Sequence, residues 1–136
     1  MSAPMVSILV ALFAALVAFS VARRNAFAAA SAKFRSAVTS TLCDVYPTPS
    51  SWPTNIDGYL RTKFPSLQSA VAEFQRALPI WKRRAFATTW EQYHNAYGRP
   101  QDTQVYHHYA GFQDMPDPKA ELRRRIDALL AYANAT

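Results

Sequence analysis

Hydrophobic positions run almost unbroken at the start of the chain and become periodic after it. From Met5 to Ala22 the segment MVSILVALFAALVAFSVA has only Ser7 and Ser20 as polar side chains. No charged side chain precedes Arg23. Counted from Ala3, this stretch as a helix is about 30 Å long, the hydrocarbon thickness of a bilayer. Arg23 and Arg24 end it abruptly, since each would cost about 2.5–3.5 kcal/mol at the bilayer centre. The pattern predicts a transmembrane anchor over residues 1–24.

Beyond Ala26 the apolar residues fall on faces. Phe27, Phe34, Val38, Leu42 and Val45 lie at i, i+7, i+11, i+15 and i+18, one side of a helix. The membrane helix is therefore expected to continue unbroken to about Asp44, as a juxtamembrane helix over 25–45. Pro47, Pro49 and Pro53 then remove donors and restrict their predecessors, so 46–53 reads as a Pro-rich linker. Residues 54–136 read as a small helical domain. Thr54 with Asp57 three residues on resembles a capping box for a short helix with Ile56, Tyr59 and Leu60, weakened by Gly58. Pro65 is expected to open the next helix, with Leu67, Val71, Phe74 and Leu78 on one face. Pro79 should end it and begin another, carrying Phe86, Trp90, Tyr93 and Tyr97 and stopping at Gly98. Asp117 as N-cap and Pro118 behind it start a last helix with Leu122, Ile126, Leu129 and Ala133 inward. The expected fold is all-α, a transmembrane helix continuing into a small cytoplasmic helical bundle. Residues 99–116 give no pattern.

Composition narrows the chemistry. The 136 residues include eighteen aromatics, enough to supply a core for one small domain, with Phe34, Phe74, Phe86, Trp90 and Tyr93 as its expected members. Three glycines argue against a β-rich fold built on tight turns and against a phosphate-cradling loop. The single cysteine, Cys43, excludes an internal disulfide and a Cys-rich zinc site; a free cysteine of this kind is ordinarily a small buried hydrophobe. His107 and His108 are adjacent and point apart on a helix or a strand, and His94 has no partner at ligand spacing. A metal site from His94, His107, His108 and Cys43 or Asp114 would have to be gathered by the fold. Glu73, Glu91 and Glu121 sit beside arginines, where solvated ion pairs are the ordinary outcome. No catalytic, cofactor-binding or metal-ligating residue is therefore assigned.

The formal net charge is +6, from fifteen Lys and Arg against nine Asp and Glu. Arg23, Arg24, Lys33 and Arg35 lie on the C-terminal side of the anchor, with no Lys or Arg before it. The positive-inside rule places the N-terminus outside and residues 23–136 in the cytoplasm. A cleaved signal peptide competes with this reading, but its positive n-region would rest on the α-amino group alone. The same four basic residues are the expected contacts with anionic headgroups, worth about 1 kcal/mol each close to the surface. Lys82-Arg83-Arg84 and Arg123-Arg124-Arg125 each spread over about 200° of a helix and form no stripe. Pairing is expected between Glu121 and Arg125 and between Arg123 and Asp127. No nucleic-acid module is visible, so nucleic acid is not the expected partner. Small residues recur every four positions at Ser7, Ala11 and Ala15, and from Ala14 to Ala30, a spacing that lets two membrane helices approach.

Three segments in order are Lys33-Phe34-Arg35, Ala70-Val71-Ala72-Glu73-Phe74-Gln75-Arg76-Ala77-Leu78, and Arg83-Arg84-Ala85-Phe86 leading to Thr89-Trp90-Glu91-Gln92-Tyr93. Together they make the chain, over residues 5–97, similar to a group of small, uncharacterised proteobacterial proteins with one N-terminal membrane helix and a helical cytoplasmic region. The resemblance implies a bacterial inner membrane and gives no residue a role. The expected function is non-enzymatic: a single-pass protein presenting a helical interaction module to a protein partner, or to a second copy, at the cytoplasmic face. The alternative is a tethered enzyme or ligand-binding domain using the His/Tyr-rich segment 106–109.

Overall fold

The computed structural model describes residues 2–95, 98, 104–111 and 117–134. Tyr97 and Asp114, and most of the featureless stretch 99–116, lie outside the described residues. Four α-helices and no strand are present among the described residues: α1 (Ala3–Thr41), α2 (Ile56–Ala77), α3 (Ile80–His94) and α4 (Pro118–Leu130). Short 3-10 turns follow at His107–Tyr109 and Ala131–Ala133.

The 39 residues of α1 form one helix with two environments. Its first half is long and apolar enough to cross a membrane, and none of that window is buried. Its second half carries the core face, with Phe34 and Val38 at 2% and 1% exposure, continued by Leu42 just past its end at 0%. The helix ends at Thr41, three residues short of the expected Asp44. Leu42 caps it, and Val45 and Tyr46 turn back to bond the Leu42 carbonyl.

The proline segment is a packed corner. Val45 and Tyr46 are buried, Trp52 packs against the core, and the Ser51 N–H donates to the Asp44 carbonyl at 3.0 Å. The Tyr46–Pro47 peptide is cis.

Two expectations about α2 fail. Asn55 is its N-cap in place of Thr54: its side chain accepts from the Gly58 N–H at 3.0 Å, while Asp57 pairs with Arg61 at 2.8 Å. A Cβ on Gly58 would come within 2.7 Å of the Asn55 side-chain amide, so the glycine makes room for the cap. Pro65 does not begin a helix; it lies inside this one. The ring sits on the exposed side, while Ile56, Leu60, Phe64, Leu67, Val71 and Phe74 are buried along one continuous face. That shared burial on both sides of Pro65 holds the helix together against the missing donor and the ring's clash with the preceding turn.

α2 runs antiparallel to α1. At one end the Tyr59 hydroxyl donates to Asp44 at 3.3 Å; near the other, Phe74 meets Phe34 at 4.5 Å and Phe27 at 6.0 Å between ring centroids. Phe86 of α3 adds edge-on contacts to Phe34 and Phe74 at 5.8 and 5.5 Å. α3 begins behind Pro79, as expected, but stops at His94 rather than Gly98, with Asn95 as C-cap. α4 starts as read from the sequence. Asp117 accepts from the Ala120 N–H at 3.1 Å, and Leu122, Ile126, Leu129 and Ala133 are all buried. Glu121 pairs with Arg125 at 2.9 Å and with Arg124 at 2.7 Å. These bonds hold its carboxyl below the usual range despite the opposing effect of burial, the largest single influence on it. The expected Arg123–Asp127 pair does not form; Asp127 accepts instead from the Tyr46 hydroxyl.

Candidate functional site

The four basic residues singled out for lipid contact divide into two pairs. Arg23 and Arg24 are exposed at the end of the apolar stretch, and the Arg23 guanidinium lies 5.7 Å from the Phe19 ring centre. Lys33 and Arg35 are ten and twelve residues further on, about 15 and 18 Å along the axis. Lys33 pairs with Glu73 at 2.6 Å. Arg35 donates to the Leu130 carbonyl at 3.1 Å, satisfying an acceptor at the end of α4. These two side chains tie α1 to α2 and to α4.

The corner between α2 and α3 returns to the level of Arg23 and Arg24. Ala77, Pro79 and Lys82 line an open cleft of about 560 Å³ with Arg23, Arg24, Asn25, Phe27 and Ala28. Its lining carries three cations and no carboxylate. Arg83 folds back on the end of α2, donating to the Leu78 and Arg76 carbonyls at 3.0 and 3.1 Å. Lys82 and Arg84 stay exposed. At the same turn Ile80 and Trp81 are 77% and 78% exposed, the only exposed large apolar side chains among the described residues outside the first half of α1. The sequence reading passed over them. The available signal was that they stand off the Phe86–Tyr93 face, next to a run of three cations.

The His/Tyr-rich segment is packed shut. Tyr106, His108 and Tyr109 are at most 2% exposed, and only His107 of the four is exposed. The Tyr109 hydroxyl donates to the Tyr93 carbonyl at 2.8 Å, and the Tyr106 hydroxyl to the Gln104 side chain at 2.9 Å. The His108 ring lies 3.8 Å from that of Tyr109. Neither nitrogen of His108 has a hydrogen-bond partner of good geometry. Burial, helped by the nearby Arg125 charge, lowers its pKa to about 4, so the ring is neutral at physiological pH. Burial likewise raises Tyr93, Tyr106 and Tyr109 above the ordinary phenol range. A ligand in this cluster would have to displace closely packed rings.

Cys43 is exposed, contrary to the expectation of a buried thiol. Among the described residues, no three His, Cys, Asp or Glu side chains gather at a spacing suited to a metal ion. Of the five expected core aromatics, Phe34, Phe74, Phe86 and Tyr93 are buried. Trp90 is half-buried, stacked on Phe64 at 5.6 Å and Tyr93 at 5.3 Å.

Compared with protein-family models, curated proteins and solved structures, the chain matches none.

Proposed function

We propose that the protein is a single-pass membrane protein whose helical domain is a non-enzymatic interaction module held at the membrane surface. The observation that carries this reading is the asymmetry of α1. From Met5 to Val21 the large apolar side chains of this helix are 46–68% exposed, whereas Phe34 and Val38 of the same helix, and Leu42 that caps it, are sealed in the domain. A water-soluble domain rarely leaves so large a contiguous apolar surface uncovered, and a bilayer covers it at the right length. Arg23 and Arg24 sit where the headgroups begin. Their position after the span favours an N-out, C-in orientation, with the domain in the cytoplasm. The resemblance to small proteobacterial membrane proteins supports the bacterial inner membrane as the location.

The closed packing around Tyr106–Tyr109 favours this reading over a tethered enzyme or ligand-binding domain using that segment. The module would offer its exposed helix surfaces to a protein partner or to a second copy, with the small-residue spacing in α1 available for pairing within the bilayer.

The experiment is a topology measurement with paired C-terminal reporters, one fluorescent only in the cytoplasm and one active only in the periplasm, followed by alkaline extraction of membranes. A cytoplasmic signal from a membrane-retained, full-length band is expected. A periplasmic signal would overturn the orientation, and a shortened soluble product would identify the first segment as a cleaved signal.

A further inference from the structure

We propose that the corner between α2 and α3, with Ile80 and Trp81 at its tip, is a second membrane contact that seats in the lipid interface beside the exit of α1. This inference rests on reading α1 as a membrane span and adds a point of contact that fixes how the domain stands on the surface.

The geometry begins with chain direction. Because α2 runs antiparallel to α1, its start lies near Asp44 and its end near Phe27. The turn that follows is therefore the part of the domain folded back toward the span, and Ala77, Pro79 and Lys82 face Arg23, Arg24 and Ala28 across one cleft. If Arg23 and Arg24 mark the headgroup level, the tip of this corner lies at that level too.

The side chains suit that depth. Tryptophan is enriched at membrane interfaces, where its apolar ring and its N–H occupy a region that is neither dry nor fully aqueous. Ile80 beside it adds apolar surface that the domain leaves uncovered. Lys82 and Arg84, exposed in the next turn, match the negative potential of anionic lipid, as do Arg23 and Arg24 across the cleft. Their joint presence at one level, with no carboxylate lining the cleft, is the charge complementarity that selects a lipid surface as occupant. A second copy is the weaker candidate: two side chains fall well short of the roughly 800 Å² per partner that a stable protein interface buries. Two contacts, a helix through the bilayer and a corner resting on it, would restrict rotation of the domain about α1 and leave the far ends of α1 and α2, with the start of α4, on the aqueous side.

The test uses the full chain in vesicles of phosphatidylethanolamine and phosphatidylglycerol carrying bromine either high or low on the acyl chains, with tryptophan fluorescence as readout. The difference between wild type and Trp81→Phe isolates Trp81 from Trp52 and Trp90. Phe13→Trp in the Trp81→Phe background reports the span itself, and far-UV circular dichroism verifies that each variant keeps its helix content. Deep bromines should quench the Phe13→Trp signal, and shallow bromines should quench the Trp81 component, which disappears in Trp81→Phe. A quenched Phe13→Trp with an unquenched, water-accessible Trp81 would overturn the proposal and leave the span standing. A Trp81 shielded from aqueous quencher yet untouched by bromine would also overturn it, pointing to a protein cover such as a second copy. An unquenched Phe13→Trp would remove the span, and this inference with it.

Discussion

The Tyr46 hydroxyl donates to the Asp127 carboxylate, fastening the turn after α1 to the last helix. The two residues are 81 positions apart, so the bond closes the domain between the end of its first helix and its last helix. Burial, followed by the bond to Asp127, pushes the Tyr46 phenol up to about 12 from an ordinary 10.0.

Removing that hydroxyl has a predictable effect. Tyr46→Phe keeps the buried ring but leaves Asp127 without its donor, and should cost about 1 kcal/mol. Because the folded-state pKa is raised, the phenol's contribution is fully present below pH 10 and is lost as pH rises towards 12. Urea unfolding of the full chain in mild detergent should show a shallower alkaline loss for the variant. Part of the loss should remain, because burial also raises Tyr59 to about 12.

His108 acts at the other end of the pH scale. Its folded-state pKa is lowered from 6.5 to about 4, so the fold favours the neutral ring. The contribution is present above pH 6.5 and is lost as pH falls through 4. His108→Gln cannot titrate, and should shrink the acid-side loss between those limits by up to about 3 kcal/mol. Unfolding curves at a series of pH values between 4 and 7 read this directly; an identical pH profile for the variant would contradict it.

Lys33 and Arg35 should differ although they are two residues apart. The Lys33–Glu73 pair is exposed on both sides, so Lys33→Met should change stability by less than about 1 kcal/mol. Arg35→Met leaves the Leu130 carbonyl at the end of α4 without its donor, and should cost about 1–2 kcal/mol. Thermal unfolding of the two variants side by side gives the order, and equal losses would refute the distinction.

Pro65 offers a stabilising change. It lies inside α2 with its ring exposed, so Pro65→Ala restores an N–H to the helix without opening a cavity. The helix-interior penalty of proline is about 3 kcal/mol relative to alanine, and the greater freedom of the unfolded alanine chain offsets about 0.4–1 kcal/mol of that. A gain of about 2 kcal/mol is expected, read as a higher thermal midpoint.

Features that depend on neighbouring residues were legible in the sequence. The unbroken apolar run and its end at Arg23-Arg24 mark the exposed half of α1, because length and hydropathy are properties of one segment. The inward faces of α2 and α4 followed from spacing, and the Asp117 cap and the break at Pro79 from local chemistry. Local rules failed where local preference opposed packing. Pro65 reads as a helix start by itself, yet Leu60 and Phe64 before it and Leu67 after it share one buried face and keep the helix whole.

What only the tertiary structure decided is where distant residues meet. The antiparallel return of α2 carries Ile80 and Trp81 to the level of Arg23, assigns Lys33 to Glu73, and brings Arg35 to the end of α4. It also buries His108 against Tyr109 and leaves Cys43 outside. A side chain's periodicity tells which face of its own helix it occupies. Whether that face meets protein, lipid or water depends on how the remaining helices are placed, and that is settled by contacts between residues far apart in the chain.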